Sequence, residues 1–199
     1  MTEYDAETLA VYASNVADYV AMTHKQAGDP DVASFISAIP KGGYVLDLGC
    51  GPGRSTAAMI AAGLRADATD ASPEMIKAAF ELFQIKVKLA TFTELDAIGT
   101  YDGVYASFCL LHAPKTDFLQ HLNRIHTALK PGGVLHLGMK LGAGETRDTF
   151  GRFYAYYSEN ELWEHLIAAG FRSVATLRAA SGSGLSGERE PFISIGAYA

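Results

Sequence analysis

The segment YVLDLGCGPGRST, residues 44–56, constrains the fold of this chain more than any other feature. It opens with a short apolar run of the kind that a parallel sheet buries on both faces. Gly49, Gly51 and Gly53 follow at every second position. Glycine adopts positive φ without strain, and its missing Cβ lets a ligand approach the backbone. The residues after the last glycine suit a helix, so the segment predicts a strand, a ligand-binding turn and a helix N-terminus.

The glycine spacing distinguishes between the ligands that such turns bind. Dinucleotide-binding folds use G-x-G-x-x-G, whereas this chain has G-x-G-x-G with Asp47 two residues before the first glycine. A P-loop ends in Gly-Lys-Ser/Thr, and here Arg54 stands where the lysine would be. Two alternatives stay open at this point. One is a dinucleotide-dependent oxidoreductase, and the other is a strand–turn–helix segment in which the glycines are purely structural.

The overall composition indicates a single globular domain, residues 1–199. Hydrophobic residues make up 49% and charged residues 19% of the chain, and the formal net charge of -6 argues against a surface for nucleic acid. No apolar run is long enough to cross a bilayer and the acidic N-terminus carries no secretion signal, so we expect no membrane association. Two cysteines, Cys50 and Cys109, suit a reducing cytoplasm. The histidines show no ligand spacing, so we predict no metal site.

The residues before the glycine segment indicate helices. Apolar residues recur at three- and four-residue spacing between residues 3 and 27, which predicts one amphipathic helix. Asp29 and Pro30 predict the start of a second helix that ends near Ile39. We therefore divide the chain into an N-terminal helical lid, residues 1–40, and a core, residues 41–199. Three tyrosines of the first helix either cover a ligand or only pack on the core: Tyr4, Tyr12 and Tyr19.

The second strand is predicted over residues 64–69 and ends at Asp70. A carboxylate at this place in a parallel sheet accepts hydrogen bonds from the ribose hydroxyls of a nucleotide. The alternative role for Asp70 is to cap the following loop. Ser72 is a suitable N-cap and Pro73 a suitable first residue for a helix that extends to Phe83.

The second half of the chain continues the alternation of strands and helices. Strands are predicted at 85–89 on the sheet edge, 101–109, 134–139, 171–177 and 191–198, and helices at 114–129 and 158–169. Only a polar loop separates the last two strands, so they should be antiparallel. Residues 140–157 are predicted as a long loop with many charged and aromatic side chains, either the wall of a substrate pocket or an ordered surface loop.

Four segments resemble motifs of the class I S-adenosylmethionine-dependent methyltransferases, in the order that this family has them. They are the glycine segment, DASPEMI at 70–76, LLHAP at 110–114 and LKPGG at 129–133. The resemblance implies an α/β, Rossmann-like, doubly wound seven-stranded sheet in the order 3-2-1-4-5-7-6, with strand 7 antiparallel. It also implies S-adenosyl-L-methionine as the cofactor and in-line transfer of its methyl group to an acceptor. The short chain and its acidic charge favour a small-molecule acceptor.

The same resemblance implies where the cofactor binds. The glycine segment would hold its methionine end, Asp70 its ribose, and Met75 with Phe92 its adenine. The residues expected to bind the cofactor are Asp47, Gly49, Cys50, Gly51, Gly53, Arg54, Asp70, Ala71, Met75, Thr91, Phe92 and, from the lid, Tyr12.

The acceptor side carries one candidate catalytic residue, His112, at the end of the fourth strand. It would orient the substrate or act as a general base, and the alternative is a loop histidine bonded to backbone. The candidate substrate-binding residues are His112, Lys140, Arg147, Arg152 and Tyr154. Because no other base is evident, a non-catalytic module that binds S-adenosylmethionine or its product S-adenosylhomocysteine is a further alternative.

Overall fold

A computed structural model of the protein describes residues 5–24 and 29–199. Its helices are α1 (Ala6–Ser14), α2 (Val16–His24), α3 (Pro30–Ala38), α4 (Arg54–Ala61), α5 (Pro73–Phe83), α6 (Lys115–Ala128) and α7 (Glu159–Ala168). Its strands are β1 (Tyr44–Leu48), β2 (Arg65–Asp70), β3 (Lys88–Leu89), β4 (Tyr101–Ser107), β5 (Leu129–Lys140), β6 (Glu145–Arg147), β7 (Phe153–Ala155), β8 (Arg172–Ser183) and β9 (Arg189–Tyr198). Short 3-10 turns occur at Phe92–Glu94 and Leu110–His112. None of these helices is long and apolar enough to span a bilayer.

Seven of these strands form one sheet in the order β3-β2-β1-β4-β5-β9-β8. β1 is parallel to β2 and to β4, whereas β9 is antiparallel to β5 and to β8. The predicted order is confirmed, since β8 and β9 are the sixth and seventh strands of the main sheet. The direction of winding reverses between β1 and β4, and a crevice at the carboxyl ends of these strands is where such sheets bind ligands.

The sheet separates two apolar layers. On one face, Leu122 and Ile125 of α6 and Leu166 of α7 pack in a buried cluster with the apolar residues of β4, β5 and β9. On the other face, Phe35 of α3 packs against Tyr105 of β4, with ring centroids 5.2 Å apart. Both faces of the central strands are therefore covered by apolar side chains. This explains why every residue of β1 except Asp47 is apolar or aromatic.

The single helix predicted for residues 3–27 is wrong in its middle. α1 and α2 are separate and meet at Asn15, which has φ -122° and ψ 22°. The Ser14 hydroxyl donates to the carbonyl of Ala10, and the Asn15 amide donates to the carbonyl of Val11. Such side-chain bonds compete with the helical backbone pattern and favour a break. The two ends of the predicted helix, and Tyr4, lie outside the described residues.

Three strand predictions also differ from the structure. β3 has two residues rather than five, because Gln84 adopts a left-handed φ of 57° and the residues after it run outside the sheet. LKPGG, which lies between the helix predicted to end at 129 and the strand predicted to begin at 134, is part of β5, where the Gly132 N–H donates to the Ala199 carbonyl. The polar loop predicted for residues 178–189 is shorter, since β8 pairs with β9 as far as Ser183 opposite Arg189.

Residues 140–157 contain a hairpin that the sequence analysis missed. β6 and β7 pair antiparallel in a two-stranded sheet of their own. Each strand has three residues, and a pattern that short does not establish alternation. The hairpin is held from outside, because the backbone N–H of Phe153 donates to the hydroxyl of Thr8 in α1.

A buried carboxylate ties α3 to the last two strands. Arg178 of β8 donates to Asp31 from Nε and Nη2 over 3.0 and 2.5 Å, and Ser194 of β9 donates from Oγ over 2.6 Å. The Asp31 side chain is only 5% exposed. Burial opposes ionisation, but Arg178 and Ser194 outweigh it and hold the pKa of Asp31 below its ordinary value.

We expect Asp31→Asn to lower the free energy of unfolding at pH 7 by about 2 kcal/mol, because it breaks a largely buried ion pair. The stabilisation requires the charged carboxylate, so it is complete above the unfolded-state pKa and disappears as the pH falls through the lower folded-state pKa. Urea unfolding at pH 7 and at pH 3 measures both statements.

Glu81→Gln is the matched control, because it neutralises the exposed i,i+4 pair of Lys77 and Glu81. Its expected cost is below about 0.5 kcal/mol. Equal losses of unfolding free energy in the two variants would contradict this prediction, because the Asp31 contacts would then stabilise the fold no more than an exposed ion pair does.

Candidate functional site

A cavity of about 360 Å³ lies at the carboxyl edge of β1, β2 and β4. Gly49 and Gly51 line it from the turn after β1, and Asp70 lines it from the end of β2. Tyr12 of α1 and Tyr19 of α2 line it from the N-terminal helices, and their rings meet edge to face at 5.5 Å. The cavity is therefore built between the crevice of the sheet and the first two helices.

The glycine turn takes the conformation that its spacing predicts. Gly49, Gly51 and Gly53 have φ of 66°, 54° and 79°. A Cβ on Gly49 would lie 2.5 Å from the Cβ of Cys109, so the turn passes too close to the end of β4 for any side chain. A Cβ on Gly53 would lie 3.0 Å from that of Ala79 in α5. The first two glycines thus border the cavity, while the third allows α4 and α5 to approach.

Asp70 fixes this turn while it lines the cavity. Its carboxylate accepts the N–H of Gly51 over 2.7 Å and the N–H of Ser72 over 2.9 Å. Burial raises the pKa of Asp70, and these two N–H groups oppose the increase. Each carboxylate oxygen accepts more than one hydrogen bond, so Asp70 retains capacity for a ligand. Ala71 and Met75, which follow it, also line the cavity.

Asp47 lies behind the turn and does not line the cavity. It is 3% exposed, and its Oδ2 accepts a 2.6 Å hydrogen bond from the hydroxyl of Thr56 in α4. Burial raises the pKa of Asp47 to about 7, although the Thr56 hydrogen bond acts in the opposite direction. This contact links β1 to α4 beneath the glycine turn. Cys50, Gly53 and Arg54, also expected at the cofactor, do not line the cavity either.

At the end of β3, Phe92 and Thr91 line the cavity, but the polar groups of Thr91 are engaged. Its N–H donates to Glu94 Oε2 over 2.7 Å, and its hydroxyl donates to the same oxygen over 3.0 Å. This capping box closes the 3-10 turn that carries Phe92. Thr91 therefore borders the cavity without a free side-chain donor.

His112 lines the cavity in a fixed tautomer. Its Nδ1 lies 2.6 Å from the carbonyl oxygen of Phe153, which only accepts, so Nδ1 carries the hydrogen. Its Nε2 lies 2.9 Å from the hydroxyl of Tyr12 and accepts from it. The same hydroxyl accepts from Arg152 Nη1 over 3.2 Å. Burial lowers the pKa of His112 to about 4, and the charge of Arg152 adds to this effect. The imidazole is therefore neutral at pH 7, with both nitrogens occupied.

The other expected substrate residues are held by ion pairs. Arg152 is 2% exposed, binds Asp148 through Nε at 2.9 Å and Nη2 at 2.6 Å, and does not line the cavity. Lys140 pairs with Glu190 and stands over the ring of Tyr154, 3.7 Å from its centroid. Neither Lys140 nor Tyr154 lines the cavity.

Arg147 does line the cavity, but its guanidinium is engaged with the N-terminal helix. It donates to both oxygens of Asp5 over 3.0 and 2.7 Å and pairs with Glu7 at 3.2 Å. The β6–β7 hairpin and α1 are thus joined by a forked ion pair at the edge of the cavity.

Several lining residues have no counterpart among the predicted site residues. Phe108 follows β4 with a left-handed φ of 54°, a conformation that is strained for an aromatic residue. Asp117 and His121 line the cavity from α6. Their i,i+4 spacing puts them on one helix face, and this spacing, just after LLHAP, is the signal that could have found them.

Comparisons with known proteins agree with this geometry. Residues 45–133 match the model of a family described as a methyltransferase domain. The matched stretch begins in β1 and contains the glycine turn, Asp70 and His112, so this part of the chain is similar to a methyltransferase domain. A trans-aconitate 2-methyltransferase of Rhodopseudomonas palustris is 32% identical over 130 residues, 62% of this chain and 48% of that protein. A ubiquinone biosynthesis O-methyltransferase of Xanthomonas campestris is 35% identical over 107 residues, 50% of this chain and 44% of that protein.

A solved structure at 26% identity matches nearly the whole chain. It is the 1,6-didemethyltoxoflavin-N1-methyltransferase of Burkholderia thailandensis with bound 1,6-didemethyltoxoflavin and S-adenosylhomocysteine. The TM-score is 0.73 at 26% identity, and the match covers 95% of this chain and 87% of that one. By contrast, the chain spans about half the length of the curated relatives it matches.

The cavity fits S-adenosyl-L-methionine, the cofactor that the sequence motifs imply. Glycines without side chains keep the turn after β1 open to the cavity, a carboxylate with remaining acceptor capacity follows β2, and an aromatic ring follows β3. These features suit an amino acid group, a ribose and a base, in that order. Within residues 5–24 and 29–199, no group of three or more His, Cys, Asp and Glu side chains could hold a metal ion.

We expect His112 to remain neutral, with hydrogen on Nδ1, from pH 8 down to about pH 5, because burial lowers its pKa to about 4. Long-range ¹H–¹⁵N spectra of the imidazole nitrogens measure both the tautomer and the titration. In Tyr12→Phe, which removes the hydrogen-bond donor to Nε2, the Nε2 chemical shift should change while Nδ1 stays protonated. A His112 that protonates near pH 6.5 would contradict the geometry.

Proposed function

We propose that this chain is a methyltransferase that transfers the methyl group of S-adenosyl-L-methionine in line to a small-molecule acceptor. The observation that carries the proposal is the single cavity that combines the Asp70-bound glycine turn with an aromatic wall from α1, α2 and β7. The Burkholderia protein with the same fold binds a small heterocycle and S-adenosylhomocysteine. That similarity supports a small, planar acceptor for this chain.

On this proposal the cofactor-binding residues have separate tasks. Gly49 and Gly51 offer backbone to the methionine end, and Asp70 accepts from the ribose hydroxyls. Met75 and Phe92 contact the adenine. Asp47 acts indirectly, because its hydrogen bond with Thr56 positions the glycine turn from behind. Cys50, Gly53 and Arg54 support the same turn.

The bound cofactor would supply an electrophilic methyl group on a sulfonium, and the chain would contribute orientation and the exclusion of water. Tyr12, Tyr19 and Phe108 provide aromatic faces at the cavity, and aromatic faces stabilise cations. Leu9 and Pro114 add apolar surface. Tyr12, held by α1, and Tyr19, held by α2, thereby close the site over the ligands.

At the cavity, the polar groups of α1, of the β6–β7 hairpin and of His112 are already paired with each other, which limits the class of acceptor. Asp5 binds Arg147, Thr8 binds Phe153, and the hydroxyl of Tyr12 joins His112 to Arg152. His112 is a weak base whose lone pair is occupied. We therefore propose an aromatic or heteroaromatic acceptor that is nucleophilic without deprotonation by the protein, rather than a nucleic acid. The buried free thiols of Cys50 and Cys109 support a reducing, cytoplasmic location.

The same pairing also favours a second candidate function, a module that binds S-adenosylmethionine or S-adenosylhomocysteine without catalysis. Turnover separates the two functions. With a panel of phenols, aryl amines and ring N–H heterocycles, the methyltransferase releases S-adenosylhomocysteine in amounts that match the methylated product. A module binds the cofactor and releases nothing with any acceptor.

We expect Asp70→Ala to weaken S-adenosylhomocysteine binding at least 100-fold in calorimetric titration. The variant loses the acceptor for the ribose and also releases the N–H groups of Gly51 and Ser72. Asp70→Asn keeps one acceptor oxygen and should lose only about tenfold. S-adenosylmethionine and NADH are titrated alongside, and NADH should not bind.

Asp67→Asn is the matched control, since Asp67 lies on the same strand, accepts from the hydroxyls of Tyr44 and Tyr101 and does not line the cavity. Its binding should equal that of the unaltered protein. Binding of NADH in place of both adenosyl ligands would support the oxidoreductase alternative and overturn the proposal.

A further inference from the structure

The end of the cavity beside β3 has an aromatic surface, but the side chains of the loop after β3 offer few free hydrogen-bonding groups there. Phe92 lines it, while the N–H and hydroxyl of Thr91 are both donated to Glu94. A purine base presents ring nitrogens and an amino group at its edge, and these lose their water when the base is buried. A site that recognises adenine needs a partner for that edge, because an unpaired buried polar group is costly.

His121 of α6 is placed to provide this partner. It lines the cavity, is 4% exposed, and its ring meets the ring of Phe92 edge to face at 5.5 Å. Its Nδ1 is buried and has no hydrogen-bond partner among the described residues. α6 is also anchored to the loop after β3, because Arg124 Nη1 donates to the carbonyl of Leu95 over 3.4 Å. The unsatisfied imidazole and the aromatic surface therefore lie together at one end of the cavity.

We propose that His121 is the residue that recognises the edge of the adenine base, in place of the side chain that follows β3. The inference rests on the proposed function, since it assumes an adenosyl ligand in this cavity. Nδ1 of a neutral imidazole either donates its hydrogen or accepts through its lone pair, so it can form one hydrogen bond with the amino group or with a ring nitrogen of the base edge. Burial lowers the pKa of His121, which favours this neutral form, while Asp117 opposes the effect.

The test compares S-adenosylhomocysteine with its analogue that lacks the 6-amino group, using calorimetric titration. The unaltered protein should bind the analogue roughly tenfold more weakly, the effect of one hydrogen bond. In His121→Leu, S-adenosylhomocysteine should lose a similar factor and the two ligands should bind within about twofold of each other, since the coupling is specific to the lost contact. His121→Asn, which keeps a polar atom near the position of Nδ1, should regain part of the discrimination.

His126→Leu is the control, because His126 lies on the same helix but packs against Phe171 and does not line the cavity. It should leave both affinities unchanged. If the unaltered protein binds neither adenosyl ligand, the proposed function fails. If it binds both equally, or if His121→Leu discriminates as the unaltered protein does, the role of His121 is overturned while the proposed function stands. Thermal unfolding of each variant verifies that the fold is retained.

Discussion

The hydrogen bonds from Gly51 and Ser72 to Asp70 determine where everything else at the site lies. They connect the end of β2 to the turn after β1, so a single carboxylate sets the spacing of two neighbouring crossover loops. The backbone N–H of Cys50, which donates to Thr69, adds a further bond between the same segments. Glycine is required because the turn passes within van der Waals distance of β4. The shape of the cavity floor is therefore fixed by the sheet and by the hydrogen bonds at its edge, and it does not depend on flexible loops.

The cavity wall opposite the glycine turn depends on a series of polar contacts between the β6–β7 hairpin, α1 and His112. Asp148 holds Arg152, Arg152 donates to Tyr12, and Tyr12 donates to His112. Arg152 is nearly fully buried, so its charge is balanced by Asp148 and shared with a neutral hydroxyl. The network removes the two side chains that looked most like a general base and an anion-binding group from contact with an acceptor. On the proposed function, the remaining aromatic and apolar surface would select the acceptor.

The sequence predicts well whatever depends on local pattern. The conformation of the glycine turn, the Ser72 cap and the strand order all occur as predicted. It predicts poorly whatever depends on distant partners. Nothing in the residues around Arg152 indicates that Tyr12, 140 positions earlier in the chain, would engage it. The spacing of Asp117 and His121 indicates that they share one face of α6, but whether that face lines the cavity depends on how α6 packs against the loop after β3.

The forked pair between Asp5 and Arg147 joins residues 142 positions apart. A chain emerging from the ribosome completes β1, the glycine turn and β2 long before Arg147 and Phe153 are synthesised. The first helices can then contact α5, but α1 lacks the hairpin that holds it, and the floor of the cavity exists without that part of its wall. Contacts of such long separation form slowly and late, because the loop they close is costly in entropy. Enclosure of a ligand therefore waits until the last third of the chain has been synthesised. A nascent protein that already contains all three glycines of the motif cannot yet enclose a ligand.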